Sequence, residues 1–198
     1  MVEIELVVIG GSAGALDPLL EIVAALDPAI DVPIAVVLHV SPRAPSRLPE
    51  VVAGATSRRV REPEDKEPLE RNTIYIAPPG YHMLVERTRT VALSIDAPVS
   101  YARPSIDVLF ESAANAIGPR VAGIVLSGTN HDGAEGLAQI AAAGGMAIVQ
   151  APASATHPSM PAAAAARVPM ARTLAARDIP SVLLTLARFP REHLGASS

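Results

Sequence analysis

The sequence predicts an α/β fold: a mostly parallel, doubly wound sheet flanked by helices, with an antiparallel hairpin extension. Three observations predict it. Short aliphatic runs alternate with stretches of helical periodicity near both ends of the chain, and strand–helix–strand crossovers make successive strands parallel. Hydrophobic residues make up 49% of the chain but aromatics only 3%, so the core is built from Ala, Val, Leu and Ile, whose small side chains let helices sit close on a sheet. The length, 198 residues, suits one such unit and suffices to bury a core. A single catalytic-size domain over residues 1–198 is expected, since no internal repeat or long linker interrupts the pattern.

Residues 3–9 are aliphatic and β-branched and stop at Gly10-Gly11, which reads as a buried strand. Leu16, Leu19, Leu20, Val23 and Leu26 then fall at helical spacing, giving a helix over 15–26. Residues 34–38 form the next strand, ending at His39. The segment 58–70 is charged and reads as irregular; 73–77 is a short strand closed by Pro78-Pro79-Gly80. Residues 83–86 and 91–95 read as a hairpin on one side of the parallel sheet. Pro104 is expected in the first turn of a helix whose apolar face is Ile106, Leu109, Phe110, Ala113 and Ile117. A second crossover follows: strand 121–126, helix 133–143 and strand 146–149. Helices over 160–167 and 181–189 close the chain.

Composition removes several function classes. With no cysteine there is no disulfide framework, thiol nucleophile or thiolate metal site. The net charge of −4 comes from acidic and basic residues mixed along the chain, which argues against a nucleic-acid partner needing a concentrated basic face. The N-terminal apolar stretch is short and interrupted by Glu5, unlike a signal peptide. No apolar run approaches the roughly 20 residues that span a bilayer. A cytoplasmic protein, not inserted in a membrane, is expected.

The chemistry is concentrated where strands end. Gly10-Gly11-Ser12-Ala13-Gly14 fits the G-x-S-x-G nucleophile elbow, a turn that projects a serine hydroxyl outward only if its neighbours are small. The following helix aims free N–H groups at whatever sits over Ser12, and the Ala13 N–H is the natural oxyanion donor. On local grounds an N-cap serine or a phosphate-binding turn fits as well. The dinucleotide fingerprint fails, since Ser12 stands at its second glycine and the next strand leads to His39, not to an acid. His39 favours the nucleophile: parallel strands bring it to the same sheet edge as Ser12, and a serine needs a base. A third group must orient the imidazole. The loop 127–133, leaving the same edge, offers Asp132. Asp132 followed by Glu135 equally resembles a capping box for the next helix. His131 is a rival base. His82, His157 and His193 lack metal-ligand spacing, so neither metal nor cofactor is expected.

The order Ser, His, Asp differs from that of α/β-hydrolases. Together with Leu38-His39-Val40-Ser41-Pro42, Ile74-Tyr75-Ile76-Ala77-Pro78, the run Arg103 to Phe110, Leu126-Ser127-Gly128, Asp132-Gly133, Gln150-Ala151-Pro152 and Met160-Pro161, it resembles the catalytic domain of the chemotaxis protein-glutamate methylesterases, the CheB-like family. The resemblance implies a serine hydrolase that removes methyl groups from glutamate methyl esters on the cytoplasmic helices of chemoreceptor-like proteins, releasing methanol. Deamidation of receptor glutamines is a further implied activity, and a serine esterase or amidase for a small ester is the alternative. By the same resemblance Ser12, His39 and Asp132 form the triad, Tyr75, His82 and Arg103 lie near the substrate cleft, and Thr129 stands where the family often has Met before the catalytic Asp. Typical members carry an N-terminal receiver domain. This chain starts at the first catalytic strand, and a form without that domain is expected.

Overall fold

The aliphatic run before the glycine turn forms the centre of the sheet, where both neighbours satisfy its backbone. The computed structural model describes residues 3–39 and 47–187. Strand β1 (Leu6–Gly11) lies fully buried between β2 (Ile34–Leu38) and a later strand, Val121–Val125. It starts later than expected and runs through both glycines, because Gly10 still pairs with Val37 and Val125, and Gly11 with Leu38. Helix α1 (Leu16–Ala24) makes the crossover.

In this half of the chain the short helix α2 (Leu48–Ala53) and strand β3 (Arg59–Arg61) were not expected. β3 sits at the sheet edge beside β4 (Thr73–Ile76), and an edge strand tolerates the charges that made segment 58–70 read as irregular. The hairpin strands β5 (His82–Val85) and β6 (Val91–Ser94) form a separate two-stranded sheet, with Val91 also bonding the backbone of Lys66 and Glu67. They pack on helix α3 (Ile106–Ile117), where the Val85 N–H donates to Ser112 Oγ at 3.0 Å. Pro104 lies before that helix and not in its first turn: Ser105 is extended and caps it, accepting from the Val108 N–H.

The chain then crosses to the other side of β1. Strand β7 (Val121–Val125), helix α4 (Ala134–Ala142), strand β8 (Met146–Gln150), helix α5 (Ser159–Arg167), the unexpected edge strand β9 (Arg172–Leu174) and helix α6 (Ile179–Ala187) complete the order β3-β4-β2-β1-β7-β8-β9, parallel throughout. The expected end of the last helix, residues 188–189, and the motif residues Val40, Ser41 and Pro42 lie outside the described residues, as does His193.

Side chains of β1 alternate between two cores. Leu6 and Val8 join residues of α3, α4 and the hairpin; Val7 and Ile9 join α1 and α6. Helices therefore cover both faces, as a doubly wound sheet requires. The loop leaving β1 leads toward β2 on one side, and the loop leaving β7 leads toward β8 on the other. The crevice between the ends of β1 and β7 is thus the switch point where open α/β sheets place their sites. Among the described residues no helix is long and apolar enough to cross a membrane.

Candidate active site

Ser12 and His39 are neighbours because the strand ladder continues past the last paired residues. The His39 N–H donates to Gly11 O at 3.1 Å, one step beyond the Gly11–Leu38 pair. On the other flank the Ser12 N–H donates to Ser127 O at 2.9 Å, so the elbow is held between β2 and the loop after β7. The serine is not a helix cap: the N-cap of α1 is Ala15, and it has no side-chain cap bond. Among the described residues no hydrogen bond occupies the Ala13 N–H, which leaves it available to an oxyanion above Ser12.

The His39 ring reaches Asp132, Nε2 to Oδ2 at 2.8 Å. The imidazole is 15% exposed and the carboxylate fully buried. A carboxylate can only accept, so Nε2 carries the proton and Nδ1 holds the lone pair. The ring is thereby fixed in one tautomer, and among the described residues no hydrogen bond occupies Nδ1.

Asp132 caps a helix, but not its own. The N-cap of α4 is Gly133, without a side-chain cap. Instead, Asp132 Oδ1 accepts from Ser105 Oγ at 2.9 Å and the Asp107 N–H at 3.0 Å, while Oδ2 accepts from the Ile106 N–H at 2.8 Å in addition to His39. The acid from the start of α4 thus closes the N-terminus of α3. The favour is returned: Asp107, in the first turn of α3, accepts the Gly133 N–H at 2.9 Å and the Gly136 N–H at 2.7 Å. Two glycines permit this exchange. Gly133 has φ +95°, and a Cβ on Gly136 would stand 3.0 Å from Asp107 Cα and O.

The exchange separates the two acids electrostatically. Burial pushes the Asp132 carboxyl up, but the His39 bond and the Asp107 and Ile106 N–H groups outweigh it and hold the carboxyl below the ordinary aspartate range. Asp107 has fewer donors. Burial dominates there, and the neighbouring Asp132 charge adds to it, raising Asp107 to about 6.

The remaining sequence candidates fall in different places. His82 is 1% exposed; its Nε2 donates to Ala97 O at 3.1 Å and its Nδ1 accepts the Ser105 N–H at 3.2 Å. It cannot face a cleft, and it supports the α3 cap. Tyr75 is fully buried, its hydroxyl donating to Pro68 O and accepting from the Glu70 N–H. It braces the loop before β4 from inside the core. Arg103 is half-buried and donates to Ile95 O and Asp96 O, bracing the chain that enters Ser105. Thr129 is exposed on the loop that carries Asp132, and His131 is exposed beside it. Among the described residues no group of His, Asp and Glu is arranged to hold a metal ion.

Several supporting residues escaped the sequence reading. Ser127 Oγ donates to Ala13 O at 2.8 Å and accepts the His157 N–H at 2.9 Å, and Gln150 Oε1 accepts the Ser127 N–H at 2.9 Å. This bracket sets the segment around His157 against the elbow: a Cβ on Gly14 would stand 3.2 Å from His157 Cδ2. Ser105 and Asp107 were visible only as residues of a motif. Their signal was a serine before an apolar helical run with an acid in the first turn.

The geometry invites comparison with known proteins. Residues 7–183 match the family model described as CheB methylesterase. A Leptospira interrogans protein named for protein-glutamate methylesterase and protein-glutamine glutaminase activity is 38% identical over 160 residues, 81% of this chain and 83% of that protein. An Anaeromyxobacter dehalogenans relative named for the same activities is 36% identical over 185 residues, 93% of this chain but 54% of its own length. This chain therefore spans about half of the second relative. The crystal structure of the Thermotoga maritima CheB methylesterase catalytic domain matches with a TM-score of 0.87 at 26% identity, over 93% of this chain and 100% of that one. Sheet order, elbow and family match agree: the chain belongs to the CheB methylesterase family.

Proposed function

We propose that this protein is a serine hydrolase that removes methyl groups from glutamate methyl esters of receptor-like proteins in the cytoplasm, with Ser12, His39 and Asp132 as its triad. One observation carries the assignment of roles: His39, held by Asp132 through Nε2 at 2.8 Å, stands next to Ser12 on the strand ladder with Nδ1 unclaimed. Among the described residues no hydrogen bond occupies that nitrogen. Nδ1 takes the Ser12 proton as Oγ attacks the ester carbonyl. The tetrahedral oxyanion is held by the Ala13 N–H, a donor of a kind worth about 3–4 kcal/mol in acyl transfer. The protonated imidazole gives its proton to the departing methoxy oxygen, releasing methanol and leaving the glutamyl group on Ser12. Water then attacks the acyl-enzyme with His39 again as base, and the glutamate carboxylate leaves. Asp132 stays ionised throughout and orients the ring.

The names of the relatives also support action on protein glutamines. There the same cycle would expel ammonia in place of methanol. The test is methanol release from receptor cytoplasmic fragments carrying methylated glutamates, comparing the protein with Ser12→Ala. Release is expected, and removal of the nucleophile should cut it by at least about 10³-fold. Equal release by the variant would overturn the mechanism. No release by either protein, with Ser12 labelled by a serine-directed phosphonate, would move the substrate to a small ester.

A further inference from the structure

Asp107 has no part in the cycle above, yet it is a buried carboxyl, 7% exposed, one hydrogen-bond step from Asp132. Its Oδ1 takes both the Gly133 and Gly136 N–H groups, one and four residues after Asp132 in sequence. Its own backbone N–H donates to Asp132 Oδ1. The residue therefore grips the triad acid from both sides: through the chain that carries it and through the carboxylate itself. We propose that Asp107 is a positioning residue of the triad, whose ionised carboxylate anchors the Asp132 segment and leaves all of Asp132's accepting capacity to His39 and the α3 N-terminus. The proposal rests on the triad reading of the preceding subsection.

The surroundings explain why charge as well as shape matters. Titratable groups near Asp107 come from few elements. Asp132 comes from the loop before α4, Glu135 from the first turn of α4, His82 from β5, Glu111 from its own helix and His39, by way of Asp132, from the end of β2. β1 and β7 offer only apolar and glycine residues to this region. Glu135 is engaged by Arg167 at 2.8 Å on the surface, and His82 is spent on Ala97 and Ser105. No cation neutralises Asp107 directly among the described residues. When it takes a proton, its hydroxyl has Asp132 as the nearby charged acceptor. Such a bond would draw Asp132's charge away from His39.

The test uses Asp107→Asn and Asp107→Ala. The amide keeps an oxygen for the two glycine N–H groups and presents an NH2 where a protonated carboxyl would present its OH. Its kcat should be reduced above pH 6 with KM unchanged and should approach the parent's below it, and it should melt no lower than the parent at pH 8. The parent, assayed on p-nitrophenyl acetate, should show a second ionisation near 6, the level to which burial raises Asp107, and Asp107→Asn should lack it. Asp107→Ala loses the anchor as well; kcat should fall about 10–100-fold, as for other groups that orient a catalytic residue, with a lower melting temperature. A parent-like kcat and an intact ionisation near 6 in Asp107→Asn would overturn the proposal. So would a loss appearing only in KM.

One readout needs no turnover: the downfield proton resonance of His39 Nε2–H. It should persist but shift in Asp107→Asn and disappear in Asp107→Ala, and an unchanged signal in both would also overturn the proposal. If the parent cleaved p-nitrophenyl acetate with the expected profile but released no methanol from receptors, the substrate assignment would fail and the role of Asp107 would stand.

Discussion

Replacing Asp132 by Asn changes one atom and separates two jobs that this carboxylate performs. It accepts from four donors, two on each oxygen. An amide has one oxygen and must turn its NH2 toward one of the two pairs. Facing Ile106 N–H and His39, the NH2 would strand a helix N–H and force the imidazole into the other tautomer. Facing Ser105 and Asp107, it strands only the Asp107 N–H, because the Ser105 hydroxyl can rotate and accept. The second orientation is cheaper, so the His39 tautomer should survive. What is lost is the negative charge opposite the imidazolium that forms during attack. At close range and an effective dielectric of about 20, that interaction is worth about 4 kcal/mol, or about 10³ in kcat.

The stranded Asp107 N–H costs about 1–3 kcal/mol of stability, which for a chain of this size lowers the melting temperature by roughly 2–12 °C. The assay is kcat on an activated ester together with a thermal melt, at pH 8 and again in acid. The pH dependence has a definite sign. The folded Asp132 carboxyl is held below its ordinary value by its donors, so its contribution is present above the unfolded value, about 3.8, and is lost as pH falls through the lower folded one. The stability gap between the parent and Asp132→Asn should therefore close only in strong acid. A variant within tenfold of the parent in kcat, and melting with it, would refute both roles of Asp132.

Other changes follow from the same geometry. Gly136→Ala places a methyl against the Asp107 backbone at 3.0 Å; overpacking of this kind costs about 1–3 kcal/mol, and both melting temperature and kcat should fall. His82→Ala leaves the buried Ser105 N–H without its acceptor, a loss of about 1–3 kcal/mol measured by denaturant unfolding, with kcat falling because Ser105 also holds Asp132. Asp107, raised to about 6, acts on stability in the opposite sense to Asp132. Its contribution is full below the unfolded value and lost as pH rises toward 6, so Asp107→Asn should gain stability relative to the parent between pH 4 and 8 in melts.

The sheet was legible where burial writes a pattern. β1, β2 and β7 are continuous aliphatic runs because helices cover both their faces. β3 and β9 were not legible, since an edge strand of three residues, RVR or RTL, carries the polar side chains of a loop. Ser12 and His39 could be brought together from topology alone, because parallel strands end at a common edge. Asp132 was balanced between cap and triad member. The expected cap of α4 is absent, since Gly133 holds that position without a side-chain bond; the carboxylate instead caps α3 while bonding His39. Nothing local to residues 129–136 could reveal that, because the helix it caps starts 26 residues earlier in the chain. Tyr75 and His82 were assigned to the cleft from the family pattern, and that pattern does not distinguish a side chain that meets substrate from one that supports the wall behind it. Burial does: both have their polar atoms committed inside the protein.

Two carboxylates in one buried pair cannot both be ionised cheaply, and one must yield its charge first. Donors decide which. Asp132 receives the imidazole, a hydroxyl and two helix N–H groups, whereas Asp107 receives two N–H groups on a single oxygen. The falling pH therefore protonates Asp107 first and spares Asp132, the partner of His39. A lone buried Asp132 with only His39 for a partner would face the desolvation penalty with a single donor. By setting it on the N-terminus of α3, the fold supplies fixed dipoles that need no reorganisation when the imidazolium forms. Exchanging caps between α3 and α4 also makes the acid's position depend on two helices packed face to face and not on the exposed loop at Thr129.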